Sequence, residues 1–317
     1  MSKSGDLATI GFMANQLFQC EFSWSASRAK EWERCRRENW YARYGSWGWW
    51  TEQPRGEKYE IMVHKCLTSL PAFTGNCMHQ AIERWFQLKR EGTSMSAKEL
   101  YDQAVEIFRE GWRESAGESW KTRPNKSTHL LEHHYETPIP KERTEASRAL
   151  LERCSKYFVE SSDLAPVREA HPDHWQSLET MDTYQFLGTK IYAIPDFAYI
   201  DGDTVHIWDW KTGTPRDADL FQLHTYALYA CEKWSIDPEQ IVLHAAYIGE
   251  GHVLTTPVDL NRLSVAQDEM SASLREMMEA HYDPGVDDLN LGNWPASPEP
   301  SKCGWCRFRT LCPEAAK

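Results

Sequence analysis

From about residue 175 the chain breaks into apolar runs of strand length, at 184–187, 190–200, 204–210, 241–248 and 252–258. A helix-period segment at 217–234 separates the third run from the fourth, and another, from 260 to about 281, follows the last. Strands, helix, strands, helix is the order of an α/β layer structure, a sheet covered by helices. Before residue 175 the period is helical. The segment 25–44, opened by Ser25 or Ser27, meets no glycine or proline until Gly45, and similar patterns cover 76–91, 96–116 and 142–161. Ser96 and Glu99 have the spacing of a capping box. The polar stretch 113–144, with Pro124, Pro138 and Pro140, reads as an irregular connection, and 283–301, rich in proline, asparagine and aspartate, as a tether.

The run 204–211 carries the chemistry. Alternation puts Val205, Ile207, Asp209 and Lys211 on one face and His206, Trp208 and Trp210 on the other. An ionised pair at the end of an apolar strand is costly to bury unless a metal ion and a polar substrate engage it. Pro195 cannot donate to a ladder, so pairing should loosen there and leave Asp196 free to turn inward. A tight turn at Asp201, Gly202 and Asp203 would then bring Asp196 beside Asp209. Two such carboxylates suit Mg²⁺ or Mn²⁺, which polarises a phosphoryl oxygen and acidifies a water, while Lys211 holds that water or offsets phosphate charge. The bland alternative is a surface ion pair beside a hairpin.

Two further features stand near this set. Gln222 and Tyr226, four apart, lie on one face of their helix. His79, one turn before Glu83 and beside Ile82 and Phe86, sits at the border of a buried face, where a neutral imidazole could complete a metal shell or be a satisfied core group.

Of nine cysteines, Cys303, Cys306 and Cys312 fall within ten residues, close enough to share one metal centre. A fourth ligand must come from Cys20, Cys35, Cys66, Cys77, Cys154 or Cys231; Cys35, in the basic and aromatic N-terminal helix, is the choice. Zinc and an iron–sulfur cluster both remain open. A link from residue 35 to residues 303–312 would staple nearly the whole chain.

The 317 residues suffice for a sizeable core. No apolar run nears the roughly 18 to 20 residues that span a bilayer, and no targeting pattern opens the chain, so we expect an intracellular, cytoplasmic protein with reduced thiols. A net charge of −12 argues against a blanket of cations on long duplex. One local basic strip exists, Arg28, Lys30, Arg34, Arg36, Arg37 and Arg43, which reads as a substrate strip or as a solvated helix face. The aromatics Trp24, Trp32, Trp40, Trp47, Trp49 and Trp50 are candidates for stacking on bases, though most should fill a helical core.

Taken in order, Gly75 and His79, Pro195 and Asp196, Asp209-Trp210-Lys211, Gln222 with Tyr226, and one N-terminal plus three C-terminal cysteines resemble the PD-(D/E)xK nuclease superfamily. The likeness is strongest to its RecB-like branch, with the iron–sulfur CRISPR-associated exonucleases of the Cas-four type and the AddB nuclease domain. The resemblance implies a restriction-endonuclease-like mixed sheet core flanked by helices. It divides the chain into an N-terminal helical region (1–170), a nuclease core (171–282) and a tether with a cluster segment (283–317). It makes His79, Asp196, Asp209 and the Trp210 carbonyl ligands of Mg²⁺ or Mn²⁺, Lys211 the catalytic lysine, and Gln222 with Tyr226 the helix motif. Cys35, Cys303, Cys306 and Cys312 would bind a [4Fe-4S] cluster without a redox role. The implied activity is cutting DNA from ends, with single strands or single-stranded ends as substrate, in recombination, repair or CRISPR spacer processing. A catalytically weak DNA-binding or assembly subunit is the alternative. Arg36 stands where the family often has proline, which keeps Cys20 as the other choice for the fourth cysteine. No GxxxxGK[ST] loop is present, so ATP-driven motion would need a helicase partner; an integrase is the other expected partner.

Overall fold

The computed structural model describes residues 19–51, 55–284 and 287–316. They divide into two compact units: one joins the chain up to Cys66 with the chain from Ala272 onward, and the other runs from Leu67 to Ser271. The three consecutive segments read from the sequence cut across this division. Periodicity reports secondary structure, whereas membership of a core depends on contacts between distant segments.

In the first unit the expected helix 25–44 is broken. Helices α1 (Ala26–Arg34) and α2 (Arg36–Trp40) meet at Cys35, which is extended (φ −165°, ψ 113°), and a π-helical turn, Tyr41–Gly45, follows. Ser25 caps α1 by accepting from the Arg28 amide at 3.3 Å. No proline or glycine marks the break, so a pattern reading runs through it. Helix α3 (Glu57–Lys65) completes this side. The C-terminal chain is bound to it by specific contacts. Buried Arg37 donates to the Trp294 carbonyl and to Glu314, both at 2.9 Å. Tyr41 stacks on Phe308 at 5.1 Å and donates to the Leu311 carbonyl at 2.9 Å. Trp294 is buried against Tyr44 and Tyr282, with centroids 5.5 and 6.0 Å away. The stretch read as a tether is therefore anchored at its tryptophan. Composition averages over a segment, and burying one large ring outweighs that average.

The basic strip is corrected too. Arg34 pairs with Glu38, Arg43 with Glu31, Arg36 with Glu276 and Arg37 with Glu314, and the Arg28 guanidinium donates to the Ser23 carbonyl at 2.8 Å. Four of the strip's six cations are thus paired with carboxylates of the same unit.

The second unit is built on a mixed sheet. Its strands are β1 (Trp175–Leu178), β2 (Asp182–Phe186), β3 (Thr189–Ala193), β4 (Phe197–Asp201), β5 (Thr204–Lys211), β6 (Ile241–Tyr247) and β7 (His252–Pro257). Five of them form one sheet in the order β7-β6-β5-β4-β1, while β2 and β3 make an antiparallel hairpin. All neighbours in the five-stranded sheet are antiparallel except β5 and β6, which run parallel with Asp209 opposite Ala245. A parallel pair needs a crossover. Its helices are α4 (Leu70–Arg90), α5 (Ala97–Ala116), α6 (Lys141–Glu160) and the crossover helix α7 (Asp217–Trp234); α8 (Leu260–Glu279) leads out of the unit.

The expected strand 190–200 is two strands, parted at Pro195. Strand β1, not anticipated, pairs with β4. Helix α4 starts six residues before the expected 76: Ser69 accepts from the Ala72 amide, Pro71 sits in the first turn, and the Glu132 carboxylate takes the Leu70 N–H at 3.0 Å. The connection 113–144 is largely ordered by a parallel pairing of Leu67–Thr68 with His129–Leu130 and a short helix, Leu131–His134. The core lies on the sheet face that carries Trp208 and Trp210. Phe86 of α4 stacks on Phe197 at 4.2 Å, and Phe158 of α6 meets Trp210 edge-on at 5.5 Å. Each such ring contributes about 1.5–3 kcal/mol by leaving water. This packing fixes the face of β5 that carries Asp209 and Lys211.

Candidate active site

Asp209 lies near the end of β5, opposite Ala245 of β6 and one residue beyond the Phe197–Trp208 pair that ends the ladder with β4, and it is 2% exposed. Lys211, two residues on, shares its face and forms an ion pair with it. The Lys211 ammonium also donates to Gln222 Oε1 at 2.8 Å, and Gln222 Nε2 donates to the Tyr226 hydroxyl at 2.6 Å. One turn of α7 thus holds both polar groups against the lysine, as their spacing predicts. Trp210 points its ring into the core on the opposite face.

Asp196 follows Pro195 and does turn inward. Its Oδ2 accepts the Trp210 backbone N–H at 2.5 Å, which ties the β3–β4 junction to β5. His79, on α4, places Nδ1 3.4 Å from Asp196 Oδ1 and 3.3 Å from Glu179 Oε1. Among the described residues, His79, Glu179 and Asp196 are the group of three whose ligand atoms all lie within 4.8 Å of one another.

Glu179 was not singled out in the sequence. It sits in the link from β1 to β2, its N–H donates to the Asp196 carbonyl at 3.1 Å, and its backbone is left-handed, φ +45°. A non-glycine residue held there costs on the order of 1 kcal/mol and needs surroundings that enforce it. No motif spacing marks it; the signal would have been β1, whose end aims it. Glu83, one turn beyond His79, adds to the negative field on Glu179.

The electrostatics follow from burial. Loss of solvent raises the Asp209 carboxyl to about 7, and the Asp196 charge adds to this, while Lys211 opposes it. Burial likewise raises Glu179 and lifts Tyr226 well above its ordinary value, helped by the nearby carboxylates. For Lys211 burial acts downward, but the Asp209 carboxylate outweighs it and the ammonium is held more firmly. For His79 burial also acts downward, and Asp196 with Glu179 more than reverses it. Three carboxylates face one ammonium and one imidazole, and a further cation would relieve the excess. The donors are hard oxygens with one imidazole nitrogen, which fit Mg²⁺ or Mn²⁺.

Two glycines keep the strand end in place. A Cβ on Gly75 of α4 would stand 3.1 Å from Thr212 Oγ1, and one on Gly249 would overlap the Thr212 carbonyl. Thr212 follows Lys211, so close approach there positions the lysine.

In the first unit Cys35, Cys303, Cys306 and Cys312 line one cavity together with Arg37, Glu38, Tyr41 and Phe308. The helix break at Cys35 is what places its thiol there. Cys20 is buried but does not line this cavity, and Cys77 and Cys154 belong to the core of the second unit. The four sulfurs do not converge within 4.8 Å. A single zinc ion with sulfur at about 2.3 Å would draw a tetrahedral quartet closer than that. Burial pushes the Cys306 thiol up to about 12, so its thiolate needs a compensating cation. No helix among the described residues is long and apolar enough to cross a membrane.

The sequence model of the PD-(D/E)XK nuclease superfamily matches residues 23–313. No curated protein matches the chain.

Proposed function

The chain belongs to the PD-(D/E)XK nuclease superfamily, metal-dependent nucleases with DNA as substrate, and on that premise we propose that it is an exonuclease or end-processing nuclease of the RecB-like branch, acting on single-stranded DNA or single-stranded ends. The observation that carries the reading is the crowding of Asp196, Asp209 and Glu179 around Lys211 and His79, with Asp209 buried and raised to about 7. His79, Asp196, Asp209 and the Trp210 carbonyl would hold Mg²⁺ or Mn²⁺, and Glu179, strained toward His79, joins them. The ion supplies Lewis acidity toward the phosphoryl group and makes a water more acidic. Lys211 faces the charge that develops on the phosphate. Gln222 holds the ammonium on its line, and Tyr226 holds Gln222. The Trp210 amide fixes one oxygen of Asp196 and leaves the other toward His79.

The same reading assigns Cys35, Cys303, Cys306 and Cys312 to a [4Fe-4S] cluster that staples the first unit. What supports it is the cavity that the four cysteines line together, although their sulfurs form no tight ligand group. A cytoplasmic role in recombination, repair or CRISPR spacer processing follows from the branch, with a helicase or integrase as partner.

The test is digestion of single strands and duplexes, labelled at either end, in Mn²⁺. Short products released from one end of single strands support the reading. Internal cutting of duplex alone would overturn the exonuclease assignment. Iron analysis separates the cluster: Cys35→Ser should lose iron, and Cys20→Ser should keep it.

A further inference from the structure

Helix α7 meets the ends of β5 and β6 at two places, and the Gln222 bond to Lys211 is one of them. The other is Asp219, three residues before Gln222 and on the same face of the helix. Its Oδ2 accepts the Tyr247 hydroxyl at 3.1 Å and the Arg216 backbone N–H at 3.0 Å, while the Asp219 N–H returns to the Arg216 carbonyl at 3.0 Å. Tyr247 is the last residue of β6, and the parallel register sets it opposite Lys211. Partners in register project to the same face of a sheet, so both side chains rise toward α7. Two neighbouring strand ends are thus tied to one helix, Lys211 through Gln222 and Tyr247 through Asp219.

Tyr247 is a fixed post for such a tie. It is 1% exposed, its ring stacks on His252 at 4.9 Å, and its carbonyl accepts the N–H groups of Glu250 and Gly251 at 3.0 and 2.9 Å. A helix cap by itself needs only the Arg216 amide. The bond to Tyr247, 28 residues along the chain, does what a cap does not: it sets how far the start of α7 stands from the strand ends, and so where Gln222 meets the ammonium. All of these residues belong to one unit.

We infer that Asp219 and Tyr247 are positioning residues for Lys211, acting through α7 and Gln222. The inference rests on the reading of the protein as a nuclease that uses Lys211, and one arm of its test does not depend on cleavage.

Tyr247→Phe removes the hydroxyl and keeps the buried ring. With cleavage of end-labelled DNA followed in Mn²⁺, it should lower kcat on the order of tenfold, with KM and the Mn²⁺ requirement near wild type. Asp219→Ala should match it, and Asp219→Asn, which still offers an acceptor oxygen, should recover most of the loss. On a Gln222→Ala background, where α7 no longer holds the ammonium, Tyr247→Phe should change kcat by no more than about twofold, whereas a general weakening of the fold would slow both backgrounds alike. The hold is also read in EDTA by proton–nitrogen NMR of the full-length protein carrying isotope-labelled lysine. The Lys211 ammonium, assigned by its absence from Lys211→Ala, should give a signal protected from exchange in wild type and lose it in Tyr247→Phe. That loss in a protein that cleaves nothing would sustain the positioning and defeat the catalytic reading alone. No protected signal in wild type, a signal and kcat unchanged in Tyr247→Phe, or the full tenfold fall repeated on Gln222→Ala would overturn the inference.

Discussion

The Lys211 ammonium donates to Gln222 Oε1 at 2.8 Å while paired with Asp209, so its position is set from α7 as well as from its own strand. The bonds of the Gln222 side chain go to Lys211 and Tyr226, and to none of the three carboxylates that would hold the ion. Its loss should therefore lower kcat more than it weakens metal binding. Gln222→Ala is expected to reduce turnover about 10- to 100-fold, with an Mn²⁺ requirement close to wild type. A changed Mn²⁺ requirement at unchanged kcat would show that the residue serves the ion instead.

Glu179 should behave in the opposite way. It stands 3.3 Å from His79 in a left-handed backbone, and its carboxylate belongs to the only tight donor group among the described residues. Glu179→Gln should raise the Mn²⁺ concentration needed for half-maximal cleavage about 10- to 100-fold. Calorimetric titration of the protein with Mn²⁺ gives an independent reading of the same loss.

Gly249 has no room for a side chain, because a Cβ would overlap the Thr212 carbonyl. Gly249→Ala must push the chain after Lys211 aside. It should cost about 1–3 kcal/mol in denaturant unfolding and reduce cleavage as well. A variant of wild-type stability would mean that the two segments part without cost.

Acid should loosen the second unit through a histidine outside the site. His244 is buried, stacked on Trp208 at 3.9 Å, and bonded through its ring nitrogens to His206 and Thr255, both at 2.9 Å. Burial, with the neighbouring His206 adding to it, lowers its pKa from 6.5 to about 3. The unfolded chain takes up this proton first. The stability from neutral His244 is thus complete above pH 6.5 and is lost as pH falls from there toward 3. Between pH 7 and pH 5 the loss should be about 2 kcal/mol, and His244→Gln should flatten that part of the stability profile.

Much of the site was legible because strand alternation and helical spacing are short-range rules. They placed Asp209 and Lys211 on one face, Trp208 and Trp210 on the other, and Gln222 over Tyr226. Pro195 correctly marked where the ladder opens for Asp196. What escaped depends on contacts between distant segments. Glu179 is aimed by a strand too short to show a period, Cys35 breaks its helix without a breaker residue, and four of the six cations of 28–43 found acidic partners, two of them as far away as Glu276 and Glu314. Trp294 was hidden in a polar stretch for the same reason: what buries it lies in another part of the chain.

The central claim is that Lys211, set among Asp196, Asp209 and His79, faces the phosphate that is cut. The direct measurement is the rate at which wild type and Lys211→Ala cleave end-labelled single-stranded DNA in Mn²⁺, with folding checked by thermal unfolding. The account predicts cleavage by wild type and a loss of at least about 100-fold in a folded Lys211→Ala protein. Equal rates, or no cleavage by wild type in any divalent ion, would contradict it.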